Sequence, residues 1–391
     1  MFSTSHSRHH SARKRMISHV YSKSVIHSSE AFARQAQVIL YERLLPAITI
    51  AASAFQSPDG VDAHELWNAT TMDFITAYLF GLKNGSNFLK DKDYRRHWLN
   101  LYYSRKRYTF FPQELPRLTR FMKKIGIHLV PTWVNDANEE LEAWTQNLCD
   151  DTIAYLRDGA ATDSDAANEP VVMNAILAGI NKEKNLKGRE SILKDETLKY
   201  PELSIASEMI DHLAAGHETS GITLTYFTWQ ISRDLPLQRA LRAELNGLSP
   251  NMKVSGNSQA LPNPKDLDAL PLLHAILMET LRLRAAIPGG QPRMTPYPAC
   301  SLSKFHDIPG GVRVGAQAYS IHRNESVFPN PEQWDHTRWL DNENELTEEE
   351  KRERDRTFWA FSSGGRMCIG SNFAVYGKFF NCSNQILANL R

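Results

Sequence analysis

The chain has 391 residues, 42% of them hydrophobic and 23% charged, and its 45 Lys and Arg against 44 Asp and Glu leave a formal charge of +1. That is the balance of an ordinary soluble globular protein, and it lacks the basic excess expected of a nucleic-acid binder. Four scattered cysteines, Cys149, Cys300, Cys368 and Cys382, make no disulfide framework and point to a reducing compartment.

The basic, His-rich start has no apolar stretch behind it, so it does not read as a secretory signal. The longest apolar run, Leu44 to Phe55, falls short of the ~20 residues that span a bilayer. Ser28 to Ala54 reads as one or two amphipathic helices ending before the Ser57-Pro58-Asp59-Gly60 turn. Val61 to Leu82 restarts at helical spacing, and Asp91 to Tyr108 is a third helix rich in aromatics and arginines. Phe110 to Trp133, punctuated by prolines, reads as a loop pair over the core, with the mouth of an apolar pocket or a membrane-touching lip as its alternative.

Asp136 to Leu156 is helical, and Gly159 to Asn168 is a small-residue linker. The longest helical pattern runs from Ile205 to Asp234 and carries Gly216 and Gly221 near its middle; Asp234-Leu-Pro236 restricts its end. The Ser249 to Pro264 loop separates it from a helix over Leu272 to Arg284. Beyond Pro288 the short runs Val312-Arg-Val314 and Gln317 to Ile321 read as strands. Asp341 to Arg356 reads as a solvated coil or helix face. The whole is mainly α with a small β region, without the β-α alternation of a doubly wound nucleotide fold.

The segment that carries chemistry is FSSGGRMCIG, Phe361 to Gly370, followed by a helical pattern from Ser371 to Phe379. A helix N-terminus offers unbonded amides and a positive dipole end, both of which favour a thiolate at Cys368. Gly364 and Gly370 let a flat group lie against the backbone, and Arg366 can reach an anionic group on it. A buried inert cysteine, a zinc ligand and a catalytic nucleophile are the alternatives for Cys368 taken alone. The five fixed positions of Phe-x-x-Gly-x-Arg-x-Cys-x-Gly arise by chance in such a chain on the order of once in ten thousand.

This pattern resembles the haem-binding signature of the cytochrome P450 family, and the resemblance makes Cys368 the iron ligand, with Phe361, Gly364, Arg366 and Gly370 around haem b. Ala215-Gly216-His217-Glu218-Thr219 looks like the family's oxygen-activating segment: Gly216 leaves room for O2, and Glu218 with Thr219 passes protons. Glu279-Thr-Leu-Arg282 looks like its Glu-x-x-Arg pair, completed by Arg338 as a buried structural network. Arg293, in Gln291-Pro292-Arg293, falls where the family holds one haem propionate. His10 and Lys14 fall where a Trp-x-x-x-Arg pair holds the other, so the match there is softer.

The resemblance implies a single P450-like domain over 1–391, incomplete at both ends: it lacks the family's anchor, first helices and much of the first sheet, and its C-terminal strands. It also implies a haem-thiolate monooxygenase, most similar to fungal members of secondary metabolism. Such an enzyme would insert one oxygen atom from O2 into a lipophilic small molecule, with electrons from NADPH through a cytochrome P450 reductase. A monomer on the cytoplasmic face of the endoplasmic reticulum membrane is expected, with no nucleic-acid partner. Two other readings stay open: a truncated, catalytically inactive haem-fold remnant, and a haem-thiolate isomerase or dehydratase, against which the intact Glu218-Thr219 pair speaks.

Overall fold

A computed structural model describes residues 7–53, 61–158, 165–186, 191, 193, 195–250, 260–340 and 346–381. The Ser57–Gly60 turn, most of the Gly159–Asn168 linker, most of the Ser249–Pro264 loop, residues 341–345 and the tail with Cys382 lie outside the described residues. What is described is mainly helical with four short strands. The described residues gather into two compact units: those of 7–221 with 260–261 and 372–381, and those of 222–250 with 262–371.

The first unit is built around the Ala63–Phe80 helix. Asp62 caps its start by accepting from the Glu65 amide at 2.9 Å, and it stops at Gly81, whose φ of 78° suits glycine. Every side chain from Trp67 to Phe80 is buried, so its polar residues need internal partners. Thr70, Thr71 and Thr76 donate to carbonyls one turn earlier, each at 2.8 Å. Asp73 accepts from Ser86 Oγ and the Phe88 amide, both at 2.7 Å, and pairs with Arg43 at 3.2 Å. Burial pushes its carboxyl up, and those partners pull it back.

Against this helix lies the Pro201–Ser232 helix, whose residues up to Gly221 belong to the first unit. A Cβ on Gly216 would stand 2.5 Å from Ile75 Cγ1, and one on Gly221 would stand 2.9 Å from Asn68 Oδ1. Between them Thr71 Oγ1 donates to the His217 carbonyl at 2.7 Å. Asn68, Thr71 and Ile75 share one face of their helix, so the two glycines let a second helix seat on that face. The side of Gly216 on which a Cβ would stand is thus occupied by Ile75.

Phe110 to Trp133 is not a pair of loops: it holds two short helices, Phe110–Glu114 and Pro116–Lys124. Pro116 opens the second at the first helical turn, where a missing amide costs no bond, and Gly126 at φ 80° follows its end.

In the second unit the Pro271–Leu283 helix is central and mostly buried. Asp234, read as a helix stop, is the cap of a further helix, Leu235–Asn246, through the Leu237 amide at 2.9 Å. Strand β1 (Gly290–Met294) pairs antiparallel with β4 (Arg313–Gln317), setting Arg293 opposite Val314. Strand β2 (Ala299–Leu302) pairs with β3 (Phe305–Pro309). The expected strand over Gln317 to Ile321 ends at Gln317; Ala318–Ile321 is a helical turn, closed by the His322 amide on the Ala318 carbonyl at 2.9 Å. Glu348–Thr357 is an exposed helix opened by a Thr347–Glu350 capping box.

Replacing Gly216 by Val should destabilise the protein by ~1–3 kcal/mol through overpacking against Ile75. The double variant with Ile75→Ala should regain part of that loss in a urea titration; strictly additive losses would show that the two positions do not meet.

Candidate functional site

The Cys368 loop closes on itself. The Cys368 amide donates to the Phe361 carbonyl at 2.9 Å, and the Met367 amide to that of Gly364 at 3.0 Å. Gly364 sits at φ 71° and Ser362 at φ 60°, so the chain turns twice within a few residues before the Ser371–Asn381 helix begins. Cys368 is exposed and in no disulfide. At Gly364, Gly365 and Gly370 no described atom beyond the chain neighbours lies within 4 Å of where a Cβ would stand. The loop therefore presents a thiol just ahead of a helix N-terminus, flanked by backbone that faces open space. A planar group with an iron to ligate fits this arrangement.

Positive charge gathers at the same place. Arg293 on β1 lies close enough to Arg366 that, after burial, its guanidinium is the second cause lowering the Arg366 pKa. Two guanidiniums brought together favour an anionic partner, which the carboxylates of a haem would supply.

The pair Glu279 and Arg282 is fully buried. Arg282 uses all five of its N–H groups: two reach the Glu279 carboxylate at 2.7 and 2.8 Å, and three reach the carbonyls of His322, Pro331 and Gln333 at 2.9, 2.9 and 3.1 Å. Glu279 also accepts from the Asp335 amide at 2.9 Å and from Trp339 Nε1 at 3.0 Å. Arg338, the partner expected from the sequence, approaches Glu279 to 3.5 Å as an ion pair, but its Nε makes no hydrogen bond. Arg338 thus completes the charge network as expected, while a backbone amide and an indole supply the further hydrogen bonds to Glu279.

His322 joins this network to the cysteine segment, and sequence reasoning missed it. Its Nε2 accepts the Trp359 amide at 2.7 Å, which leaves Nδ1 to donate to the Arg282 carbonyl at 2.7 Å. Only the neutral ring does both, and burial pushes its pKa down to about 4. No spacing rule marks a histidine in the loop after β4.

In the first unit Glu218 is gripped by Lys106 and by Tyr102, whose hydroxyl donates at 3.0 Å. Burial, and then the Glu218 charge, push the Tyr102 phenol above its ordinary range. The Thr219 hydroxyl donates to the Ala215 carbonyl at 2.7 Å. His217 is buried between Trp98 and Tyr102 and donates Nδ1–H to the Leu213 carbonyl at 2.7 Å; burial holds it near a pKa of about 4. His10 is buried and Lys14 half-buried, one turn apart on the Ser7–Ile17 helix.

The cytochrome P450 family model matches residues 1–384. The chain belongs to the cytochrome P450 family. It is 25% identical over 386 residues to cytochrome P450 monooxygenase avaI of Aspergillus versicolor, covering 97% of this chain and 81% of that protein. It is 31% identical to cytochrome P450 monooxygenase orf2 of Aspergillus niger, over 46% of this chain and 33% of that protein. The match to orf2 thus spans about a third of its length. The crystal structure of the cytochrome P450DA heme domain aligns over 96% of this chain and 69% of that one, with a TM-score of 0.62 at 19% identity. That likeness supports a P450-like, mainly helical fold, and the family implies a haem-thiolate cofactor. Among the described residues no helix is long and apolar enough to cross a membrane.

Two outcomes test this P450's internal network. Arg282→Lys keeps the charge but has three donors for five acceptors, so it should cost ~2–4 kcal/mol in a denaturant titration; a change within error would show that the carbonyl bonds are dispensable. The second outcome concerns pH. An unfolded imidazole titrates near ~6.5, so between there and about 4 the unfolded state binds a proton that folded His322 refuses. The stability tied to neutral His322 is complete above that range and is lost as pH falls through it. His322→Gln should give a flatter stability–pH curve in that window, with buried His212 and His217 keeping a slope of the same sign; an equally steep curve would remove His322 from the account.

Proposed function

We propose that this P450 is a haem-thiolate monooxygenase that inserts one oxygen atom from O2 into a lipophilic small molecule of fungal secondary metabolism. Electrons would come from NADPH through a flavoprotein reductase. The observation that carries the reading is the exposed Cys368 thiol on a self-closed loop whose glycines face open space. Relatives named monooxygenases support the reaction class.

Cys368 would ligate the iron, with Phe361, Gly364, Arg366 and Gly370 packing around the ring. Arg366 and Arg293 would meet one carboxylate of haem b, and His10 and Lys14 the other. Bound there, the haem supplies oxygen activation, with thiolate donation favouring O–O cleavage. Thr219 and Glu218 would hold and deliver protons. Lys106 and Tyr102 fix the Glu218 carboxylate so that it keeps one position through turnover. Glu279, Arg282 and Arg338 brace the segment that leads to the cysteine loop. The cytoplasmic face of the endoplasmic reticulum membrane and a monomeric state complete the reading, and both rest on the family resemblance.

The deciding experiment is the CO-difference spectrum of the reduced, haem-loaded chain. It should show the band of a thiolate-ligated haem, and Cys368→Ser should abolish that band while leaving the helical circular dichroism unchanged. A band that survives the substitution would defeat the ligand assignment, and a parent protein without haem would favour an inactive remnant.

A further inference from the structure

Tyr21 follows the Ser7–Ile17 helix and is 2% exposed, so water cannot take a proton from its phenol. Its hydroxyl lies 3.0 Å from His212 Nδ1, and the two ring planes differ by 4°. His212 is buried on the Pro201–Ser232 helix, with its Nε2 3.9 Å from Glu208 Oε1. That carboxylate decides the tautomer: a ring proton on Nε2 is attracted to it, whereas a lone pair there would be repelled. Nδ1 is therefore the acceptor and the Tyr21 hydroxyl the donor. Burial lowers the His212 pKa, which keeps the ring neutral and Nδ1 open to a proton.

A charge formed on a buried imidazole needs a partner, and one is in place. Glu208 Oε2 accepts from Arg13 Nη1 at 3.1 Å, while Arg13 Nη2 donates to Thr197 Oγ1 at 3.1 Å and to Ser204 Oγ at 2.9 Å. Nearby tyrosines lack such a base. The Tyr78 ring centre is 5.7 Å from that of Tyr21, but its hydroxyl donates to the Val20 carbonyl, which takes no proton. Tyr102 donates to Glu218, whose charge Lys106 already holds. A bonded route also joins Tyr21 to the cysteine. Asn372 Nδ2 donates to the Tyr21 carbonyl at 3.0 Å. Asn372 is the fourth residue after Cys368, a backbone span of at most ~14 Å.

We propose that Tyr21 is a redox-active residue, which passes one electron to a peroxide-oxidised haem while its proton moves to His212. The inference rests on the haem-thiolate reading above. A phenol gives up an electron readily only when its proton leaves too, because the oxidised phenol is a strong acid. Here the Tyr21 O–H bond breaks and an Nδ1–H bond forms. A phenoxyl radical and an imidazolium beside Glu208 remain, and the haem is reduced by one electron.

Electron paramagnetic resonance on the haem-loaded full chain, freeze-quenched after mixing with cumene hydroperoxide, tests it. The parent should give a tyrosyl signal coupled to an exchangeable proton, and that coupling should vanish in D2O without any substitution. Tyr21→Phe should lose the signal. So should His212→Gln, whose amide oxygen accepts the hydrogen bond but cannot take the proton. Tyr78→Phe should keep it, and the CO-difference band shows in each variant that the haem is in place. A tyrosyl signal that survives Tyr21→Phe, or one of parental size in His212→Gln, overturns the proposal. A parent with the thiolate CO band and no tyrosyl signal overturns it while the haem reading stands; a parent without that band fails both.

Discussion

The buried Arg282 guanidinium is the constraint on which the second unit depends. Taking two opposite charges out of water costs several kcal/mol per ion, and their attraction repays it only when every remaining donor and acceptor is filled. Here every one is. Arg282 spends all five N–H groups, and Glu279 takes both of its further bonds from the Asp335 amide and the Trp339 indole. Three of these bonds end on carbonyls in the segment from His322 to Gln333, so one side chain sets the path of a stretch with little regular structure of its own. Through His322 the same network reaches Trp359, two residues before the cysteine loop begins.

That arrangement explains why the cysteine loop can be exposed and still ordered. Its entrance is tied through His322 to the Arg282 network, and its interior is closed by the Cys368–Phe361 and Met367–Gly364 backbone bonds. Gly364 at positive φ takes one of the two turns without strain, and at Gly364, Gly365 and Gly370 the loop faces open space.

Adjacent residues in the first unit show how placement divides function. Lys106 and Arg105 follow one another, yet Lys106 meets Glu218 while Arg105 meets only an amide oxygen and an aromatic ring. Opposite charges meet at the first, and its cation serves to hold a carboxylate still. The two-residue sequence is the same kind of basic pair found on many solvated helices; the fold separates their fates.

Most of the long helices, the glycine-bounded cysteine loop and the Glu279–Arg282 pair were legible in the sequence, because local spacing and backbone geometry mark them, whereas the helices Phe110–Glu114, Pro116–Lys124 and Leu235–Asn246 were not. Cys368 and its neighbours carried enough specific positions to name the family. Three contacts were not legible either. Ile75 stands where a Cβ on Gly216 would be; Asp335 and Trp339, besides Arg338, bind Glu279; and His322 bridges Arg282 to Trp359. Those partners stand 37 to 60 residues away from the atoms they satisfy in the second unit. At such separations local pattern constrains nothing, and the partner is whichever donor or acceptor the packed chain delivers to a buried charge that must be satisfied.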